Sequence, residues 1–582
     1  MNSFKNLWKI ITKKEKKIFL FIILLYIFQA ILEMVGIAAI IPFVTFLLKP
    51  EALVEIPILS NLINLDEIEF NENFIIFMCI TLFLIFLIKN ILIILTNKVT
   101  FNFIFSVRTN LYLNILKKIM HQNYLFFVRQ GIPKIANVLT EEVNNFATRI
   151  VKPIINLVSE IIITLAIILL IYIVGYIDGL LILLPLVVVI GLILKKLNKS
   201  IKNWSNIRII NNQKLISLKY NFINSIKEII IYGKIFKIFE DFQSSLKSLQ
   251  KVDTNNNVVL TIPKALLEQS IILVFIIIIL FLKFSGVSYE SIIITISFYL
   301  AATYRLVPSF NKIFIAKQSL KFGEPSIPKL MEFKKLKNEN IFLENNNITK
   351  IINFKNDIKL SNINFGYDNN SEVIKNLNLV INKYDVIGIY GESGSGKSTL
   401  INILTFLLKT NYGKIIVDGK ELIELDLIRK YQNLFSIASQ DTFLIDGTLK
   451  DNITFGSDKS FSDTKIKESI KFARLNNFVD SLELGLDTHI GSTIKQLSSG
   501  QKQRIAIARS IYSDREILIF DEATNALDEE NEKIILKNIN GLRSKKTIII
   551  ISHNLENLKI CKRIISIQNQ EITEKKNDKY KY

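Results

Sequence analysis

Cysteine is nearly absent: Cys79 and Cys561 are the two in 582 residues. That excludes a disulfide framework and a Cys-rich zinc site. Cys79 lies in an apolar run and Cys561 near the C-terminus, so they do not read as a pair. Proline (10) and glycine (21) are too scarce for a collagen-like or low-complexity chain. A disordered chain is excluded from the other side, by 50% hydrophobic residues, 40 Phe and a mean hydropathy of +0.34. Acid is also short: 52 Asp+Glu face 72 Lys+Arg, a net charge of +20. Two readings fit such an excess, nucleic-acid binding and the cytoplasmic flanks of membrane spans. The placement of the charges decides between them.

The length points to more than one domain, and the chain has two unlike halves. Residues 1–316 contain long apolar runs. Residues 357–582 alternate short apolar runs with polar turns, and the charged, Asn-rich stretch 317–356 between them reads as a linker. Six runs in the first half approach the ~20 residues that cross a bilayer. They are 18–48, 74–96, 152–175, 177–197, 266–285 and 288–312. The first is too long for a removable signal segment, and no cleavage pattern follows it. Lys5, Lys9, Lys13, Lys14, Lys16 and Lys17 precede it against Glu15 alone. The next loop is acidic (Glu51, Glu55, Asp66, Glu67, Glu69, Glu72), and 97–151 is basic again. Residues 195–265 carry thirteen Lys/Arg against four acids, and the remaining two turns are short. Basic, acidic, basic, short, basic, short is the pattern of six spans with both ends in the cytoplasm. The charge thus reads as membrane topology, with no nucleic-acid partner.

The two basic loops are helically periodic, as in FIFSVRTNLYLNILKKIM. They read as spanning helices continued into the cytosol and joined by short tips, near 131–145 and near 226–236.

The chemistry lies in the second half. The apolar strand Val386–Tyr390 runs into Gly391-Glu392-Ser393-Gly394-Ser395-Gly396-Lys397-Ser398-Thr399, and LINILTFLL follows. This is G-x-x-x-x-G-K-[ST] between a strand and an amphipathic helix. Its glycines turn backbone N–H groups toward phosphates, and the helix N-terminus adds its dipole. Lys397 suits the β/γ-phosphates and Ser398 suits Mg²⁺. A second apolar strand, 516–520, ends in Asp521 and Glu522. Asp521 is placed to hold Mg²⁺ and Glu522 to polarise an attacking water.

Between them stands Leu497-Ser498-Ser499-Gly500-Gln501, opening an amphipathic helix. With this, the chain resembles an ATP-binding cassette (ABC) exporter half-transporter along nearly its whole length, with an MsbA-like fold. The resemblance implies a six-span α-helical transmembrane domain followed by an α/β P-loop ATP-binding cassette. It implies ATP and Mg²⁺ as cofactors and the bacterial inner membrane as location, with the cassette cytoplasmic. Tyr367 in NFGYDNN resembles the aromatic that stacks on adenine. Gln440 in IASQD resembles the glutamine that meets Mg²⁺ and the attacking water. Asn525-Ala-Leu-Asp528 resembles the D-loop, and His553 in IIIISHN the switch histidine. Ser498, Gly500 and Gln501 resemble the signature that meets a nucleotide bound by the opposite cassette. A second copy of the chain is therefore the implied partner, a related chain the alternative.

Three departures stand out. The signature's third position is Ser499, where the family has glycine, which predicts slower turnover. IGSTIKQ before it lacks the acidic element of many exporters, which puts its crosstalk with the membrane domain in doubt. His553 is followed by Asn554, not the usual arginine, a neutral change.

Within the spans, Glu33, Lys89, Lys264, Glu268, Arg305 and Lys312 are ionisable. Such residues are candidates for a substrate path. IPKALLEQ, YRLVPSFNKI and the acidic segment after span 1, an expected amphipathic helix, resemble PglK-type flippases of lipid-linked oligosaccharides. That resemblance implies a basic belt of Lys89, Lys264, Arg305 and Lys312 for a pyrophosphate head group. The alternatives are an exporter of a lipid A-like lipid, peptide or drug, and a cassette protein without transport. The stretch before span 1 shows no Cys-protease domain, which disfavours a leader-processing peptide exporter.

Overall fold

The structure, a computed structural model, describes residues 8, 10–48, 72–174, 178–284, 289–337, 354–367, 372–456, 462–491, 497–568 and 571–576. It divides into two compact units. One comprises Met1–Met120 with Gln130–Lys337, the other His121–Arg129 with Asn338–Tyr582.

The first unit is helical. Its long helices are α1 (Lys13–Ala38), α2 (Glu72–Met120), α3 (Lys152–Val174), α4 (Asp178–Asn224), α5 (Ile235–Phe284) and α6 (Tyr289–Gly323). Helix α1 starts on a capping box. Thr12 Oγ1 accepts the Glu15 N–H at 3.2 Å, and the Glu15 carboxylate accepts the Thr12 N–H at 2.7 Å. Beyond its first turns α1 has apolar residues both inside and out: Ile22, Tyr26 and Ala30 are buried while Leu24, Phe28 and Ile31 are exposed, with Gln29 and Glu33 among the buried polar residues. A helix satisfies its backbone internally, so an apolar one can face lipid on its outer side. Ala30 and Ile37 of α1, Ile163 and Ile167 of α3, and Phe298 and Ala302 of α6 form one core cluster. Among the described residues, three helical stretches are long and apolar enough to cross a membrane: Lys13–Thr45, Phe74–Met120 and Ile132–Ile173. Six crossings are thus not established by these helices. The acidic segment after α1 falls mostly outside the described residues.

Two expectations change. The first expected tip lies earlier than 131–145. Helix α2 stops at Met120, a turn follows, and Tyr124–Gln130 forms a separate short helix. Gly131, at φ 72°, then caps a new helix whose first turn holds Pro133. Proline at this point starts a helix because its missing N–H has no partner there anyway. From Ile132 the chain stays helical to Val174, through π-turns at Val138–Glu142 and Ala147–Val151. The second tip falls within 226–236 as expected, with Gly233 at φ 61° between Ile226–Ile231 and α5. The stretch 317–356 is not linker throughout. Helix α6 runs to Gly323, and Ser326–Lys334 is helical because Ile327, Leu330 and Phe333 recur every third residue and are all buried. Residues 338–353 lie outside the described residues.

The second unit holds a six-stranded sheet. Its order is Glu571–Lys576, Arg563–Gln568, Val386–Gly391, Thr547–Ile551, Ile517–Asp521, Phe435–Ala438. All but the first strand run parallel. Parallel strands covered on both faces read as continuous apolar runs, and every residue of Thr547–Ile551 is buried. A smaller antiparallel sheet pairs Asp357–Phe365 with Ile374–Asn382 and Tyr412–Val417. Cys561 is buried against the main sheet's core, and burial pushes its thiol up to about 12. It therefore stays an uncharged thiol at neutral pH, a packing residue.

Parallel order fixes where chemistry collects. The P-loop, Gln440, Asp521–Glu522 and His553 each follow the C-terminal end of a neighbouring strand. Open α/β sheets bind ligands in the crevice beyond those ends.

Candidate nucleotide site and membrane cavity

A cleft of about 510 Å³ opens there, lined by Tyr367, the P-loop, Gln440, Asp521, Glu522 and His553. Gly394 and Gly396 adopt φ values of 82° and 105°, and helix α7 (Lys397–Leu404) starts on Gly396. These conformations suit glycine alone and turn the loop backbone inward. A Cβ on Gly391 would stand 2.7 Å from Ser395 Oγ and 2.8 Å from the Ile567 carbonyl. Lys397 is buried, and its Nζ donates to the Gly391 and Glu392 carbonyls, each at 2.8 Å. Ser395 Oγ is buried with no hydrogen-bond partner among the described residues. A glycine-rich loop ahead of a helix N-terminus, with a lysine at its base, suits a polyphosphate. Ser393, Ser398 and Thr399 line the same cleft. Tyr367 stacks edge-on against Phe365 with ring centroids 5.1 Å apart, and its hydroxyl shares a 3.2 Å hydrogen bond with Thr399 Oγ1. Gly396→Ala should weaken nucleotide binding ~10-fold or more, since strain of ~1–3 kcal/mol falls where phosphate docks. Titration of the purified protein with a fluorescent ATP analogue checks this; unchanged affinity would remove the loop from the site.

Glu522 is the best-braced group in the cleft. Its backbone φ is 49°, left-handed. Its Oε2 accepts Gln440 Nε2 and Asn525 Nδ2, both at 2.9 Å. His553 Nδ1 lies 3.6 Å from Oε1 and 3.4 Å from Asn525 Nδ2. The sequence reading placed Gln440 and His553 here but had no role for the Asn525 side chain. Asp521 is half-buried. Burial, and then its neighbour Glu522, push its carboxyl above the ordinary range, while Lys397 pulls it down. A bound cation would favour its charged form. No group of three or more His, Cys, Asp or Glu able to hold a metal occurs among the described residues. Magnesium would therefore depend on Asp521, Ser398 and Gln440 together with phosphate oxygens, the usual manner for this ion.

Ser498, Gly500 and Gln501 are not among the residues lining this cleft. They open helix α8 (Ser499–Tyr512) with a capping box: Ser498 Oγ accepts the Gln501 N–H at 3.2 Å, and Gln501 Oε1 accepts the Ser498 N–H at 2.9 Å. Ser499 is exposed at the first helical position. Most of IGSTIKQ lies outside the described residues. The segment His121–Arg129 packs in this unit. Leu125 lies against the cassette core, and Arg129 Nη2 donates to the Tyr367 carbonyl at 2.6 Å.

The helical unit holds a cavity of about 920 Å³, lined by Glu33, Lys89, Lys264, Glu268 and Arg305 among others. Each cation of the expected belt has an acidic partner, the i,i+4 pair Lys264–Glu268 among them. Arg305 Nε donates to Glu33 Oε1 at 3.0 Å, and Lys89 lies 3.6 Å from Glu33 Oε2. Lys312 donates to Glu160 Oε1 at 2.7 Å, with Arg305 Nη1 3.5 Å from Glu160 Oε2. Lys264 pairs with Glu268 at 3.7 Å, and both are exposed. Glu33 and Glu160 are buried, and a buried charge left unpaired is costly. Glu160 went unread. It opens the apolar run of α3, where one carboxylate carries no periodic signal; its spacing to Arg305 exists only in three dimensions.

Taken together, a helical domain and a phosphate-binding cassette define the ABC exporter fold. Over 95% of this chain and 94% of the other, the fold superposes on a bacterial Atm1-family ABC exporter with ATP bound, at a TM-score of 0.76 and 17% identity. Residues 374–525 match the ABC transporter family. The alpha-hemolysin translocation ATP-binding protein HlyB of Escherichia coli O157:H7 is 41% identical over 219 residues, 38% of this chain and 31% of that protein. An ATP-dependent lipid A-core flippase of Idiomarina loihiensis is 36% identical over 220 residues, 38% of each. The heterocyst differentiation ATP-binding protein HepA of Nostoc sp. is 28% identical over 400 residues, 68% of this chain and 64% of that protein. The chain aligns with about a third of the length of the first curated relatives it matches.

Proposed function

We propose that this chain is an ATP-hydrolysing ABC exporter half-transporter that flips or exports a lipid-linked oligosaccharide or related glycolipid. It works as a homodimer in a bacterial inner membrane, with six spans per chain and both termini and the cassette cytoplasmic. ATP occupies the P-loop cleft with Mg²⁺ at Ser398, Gln440 and Asp521. Ser498 and Gly500 of one copy close the site on the other.

The observation that carries the substrate is the cavity: three candidate cations, Lys89, Lys264 and Arg305, line one space of about 920 Å³. Lys312 extends the row through Glu160. Three cations against the two acids Glu33 and Glu268 leave the cavity a small positive excess, which suits a lipid with an anionic head. Arg305 in its ion pairs is then the group that a pyrophosphate would engage in place of the carboxylates.

Within the cassette, Lys397 and the loop N–H groups bind and orient the phosphates. Glu522, held at Oε2 by Gln440 and Asn525, aims Oε1 at the water that attacks the γ-phosphorus. His553 stands beside it toward the phosphate. The bond that breaks joins the γ-phosphorus to its bridging oxygen, and positioned charge lowers the barrier.

A lipid A-like substrate is the second reading, because a lipid A-core flippase is among the relatives of the cassette. Purified protein in proteoliposomes distinguishes them. Polyprenyl-diphosphate-linked glycans should raise ATP turnover and cross the bilayer, while lipid A and peptides should do neither. Stimulation by lipid A or a peptide alone would overturn the glycan reading.

A further inference from the structure

Glu522 adopts a left-handed backbone, φ 49°, that a residue with a Cβ rarely holds without support. Three hydrogen bonds supply it. The Glu522 N–H donates to the Ile551 carbonyl at 3.1 Å, and the Glu522 carbonyl accepts the Asn525 N–H at 3.3 Å. The third comes from outside the turn: Gln503 Nε2, on α8, donates to the same carbonyl at 3.2 Å. Gln503 Oε1 accepts the Ala526 N–H at 3.0 Å. The carbonyl can only accept and the N–H can only donate, so the amide has one orientation. Gln503 is 6% exposed and does not line the nucleotide cleft.

The two backbone groups it joins flank Asn525, whose side chain braces Glu522 Oε2 at 2.9 Å. The same turn is tight against α8 at a second point, where a Cβ on Gly500 would stand 2.9 Å from the Ala526 carbonyl. Helix α8 therefore sets the turn 522–526 through one side chain and one close backbone approach.

We propose that Gln503 is a positioning residue for hydrolysis. It holds the Glu522 peptide and the Ala526 amide in register, so that Asn525 and Glu522 present one fixed carboxylate to the attacking water. The inference rests on the proposed ATP hydrolysis. It assigns Gln503 no contact with nucleotide, so ATP binding should be spared when it is changed.

The test is steady-state hydrolysis by the full-length protein, with nucleotide affinity and thermal unfolding read beside it. Gln503→Leu removes donor and acceptor. It should lower kcat roughly 10- to 100-fold, the scale of a sub-ångström to 1 Å misplacement, with KM for ATP and analogue affinity within about twofold. Gln503→Glu keeps the acceptor for Ala526 but sets a carboxylate against the Glu522 carbonyl. Its kcat should fall at neutral pH and recover toward wild type as the pH is lowered and the new carboxyl regains a proton to donate, relative to wild type at each pH. Unchanged kcat in Gln503→Leu would overturn the proposal. So would kcat, affinity and melting temperature falling together in both variants with no pH recovery, the mark of a merely structural glutamine. Failure of the wild type to hydrolyse ATP would instead remove the hydrolysis reading beneath it.

Discussion

Protein carrying Glu522→Gln should bind ATP with wild-type affinity and turn it over ~10²-fold more slowly or worse. The carboxylate's Oε2 is held by Gln440 and Asn525 at 2.9 Å each, and its Oε1 has His553 Nδ1 at 3.6 Å. The substitution keeps shape and volume. It removes the negative charge that orients and polarises water, while its amide oxygen can still accept from Gln440 and Asn525. Phosphate binding rests on other residues: Lys397, the loop N–H groups and Ser398. Loss should therefore appear in kcat and not in affinity. Asn525→Ala should show the same split more weakly, because Gln440 still holds Oε2. Near wild-type turnover by purified Glu522→Gln protein would remove Glu522 from the water-activating role and shift it to Asp521 or His553.

The second large effect concerns Arg305, whose side chain ties Glu33 of α1 to Glu160 of α3. Those acids have side-chain exposures of only 5% and 6%. Truncating one partner so that a buried charge is left fully orphaned costs ~3–5 kcal/mol; here Glu33 keeps Lys89 at 3.6 Å and Glu160 keeps Lys312 at 2.7 Å, so the loss should be smaller. Arg305→Ala should thus lower the unfolding temperature in detergent as well as glycolipid flipping. A second variant separates the causes. Arg305→Ala with Glu33→Gln removes the acid that lost its closer cation, leaving Glu160 to Lys312 and Lys89 without Glu33. If stability returns and flipping does not, Arg305 serves the substrate. If both return, the arginine is a structural tie and the cationic cavity loses its main support. Full stability in Arg305→Ala alone would contradict the ion-pair geometry.

Much of the nucleotide site was legible because it is local. Residues 391–399 are contiguous, and a glycine-rich turn between an apolar strand and a helix has few other conformations available. Asp521 and Glu522 were readable for the same reason: an apolar run of strand length must end, and charged residues mark where. The helical character of the first half followed from runs too long for strands. Helix breaks were less legible. GIP at 131–133 reads equally as a turn and as a helix start; only the chain's direction after Met120 separated them. Ile327, Leu330 and Phe333 were hidden by the charged residues around them, though their spacing carried a helical signal.

What the sequence by itself determined is the order of the elements and the run of residues that forms the P-loop, since both depend on neighbours within a few residues. The tertiary structure alone decided which distant groups share a site. Asn525 and Gln440 meet on Glu522 because parallel strands align their C-terminal ends. Gln503 reaches the Glu522 carbonyl because α8 packs beneath the turn. Glu33 and Glu160 neutralise the cations because α1, α3 and α6 share one core. Such pairings depend on the direction in which each side chain leaves its own element. That direction is set by long-range packing, which no local pattern records.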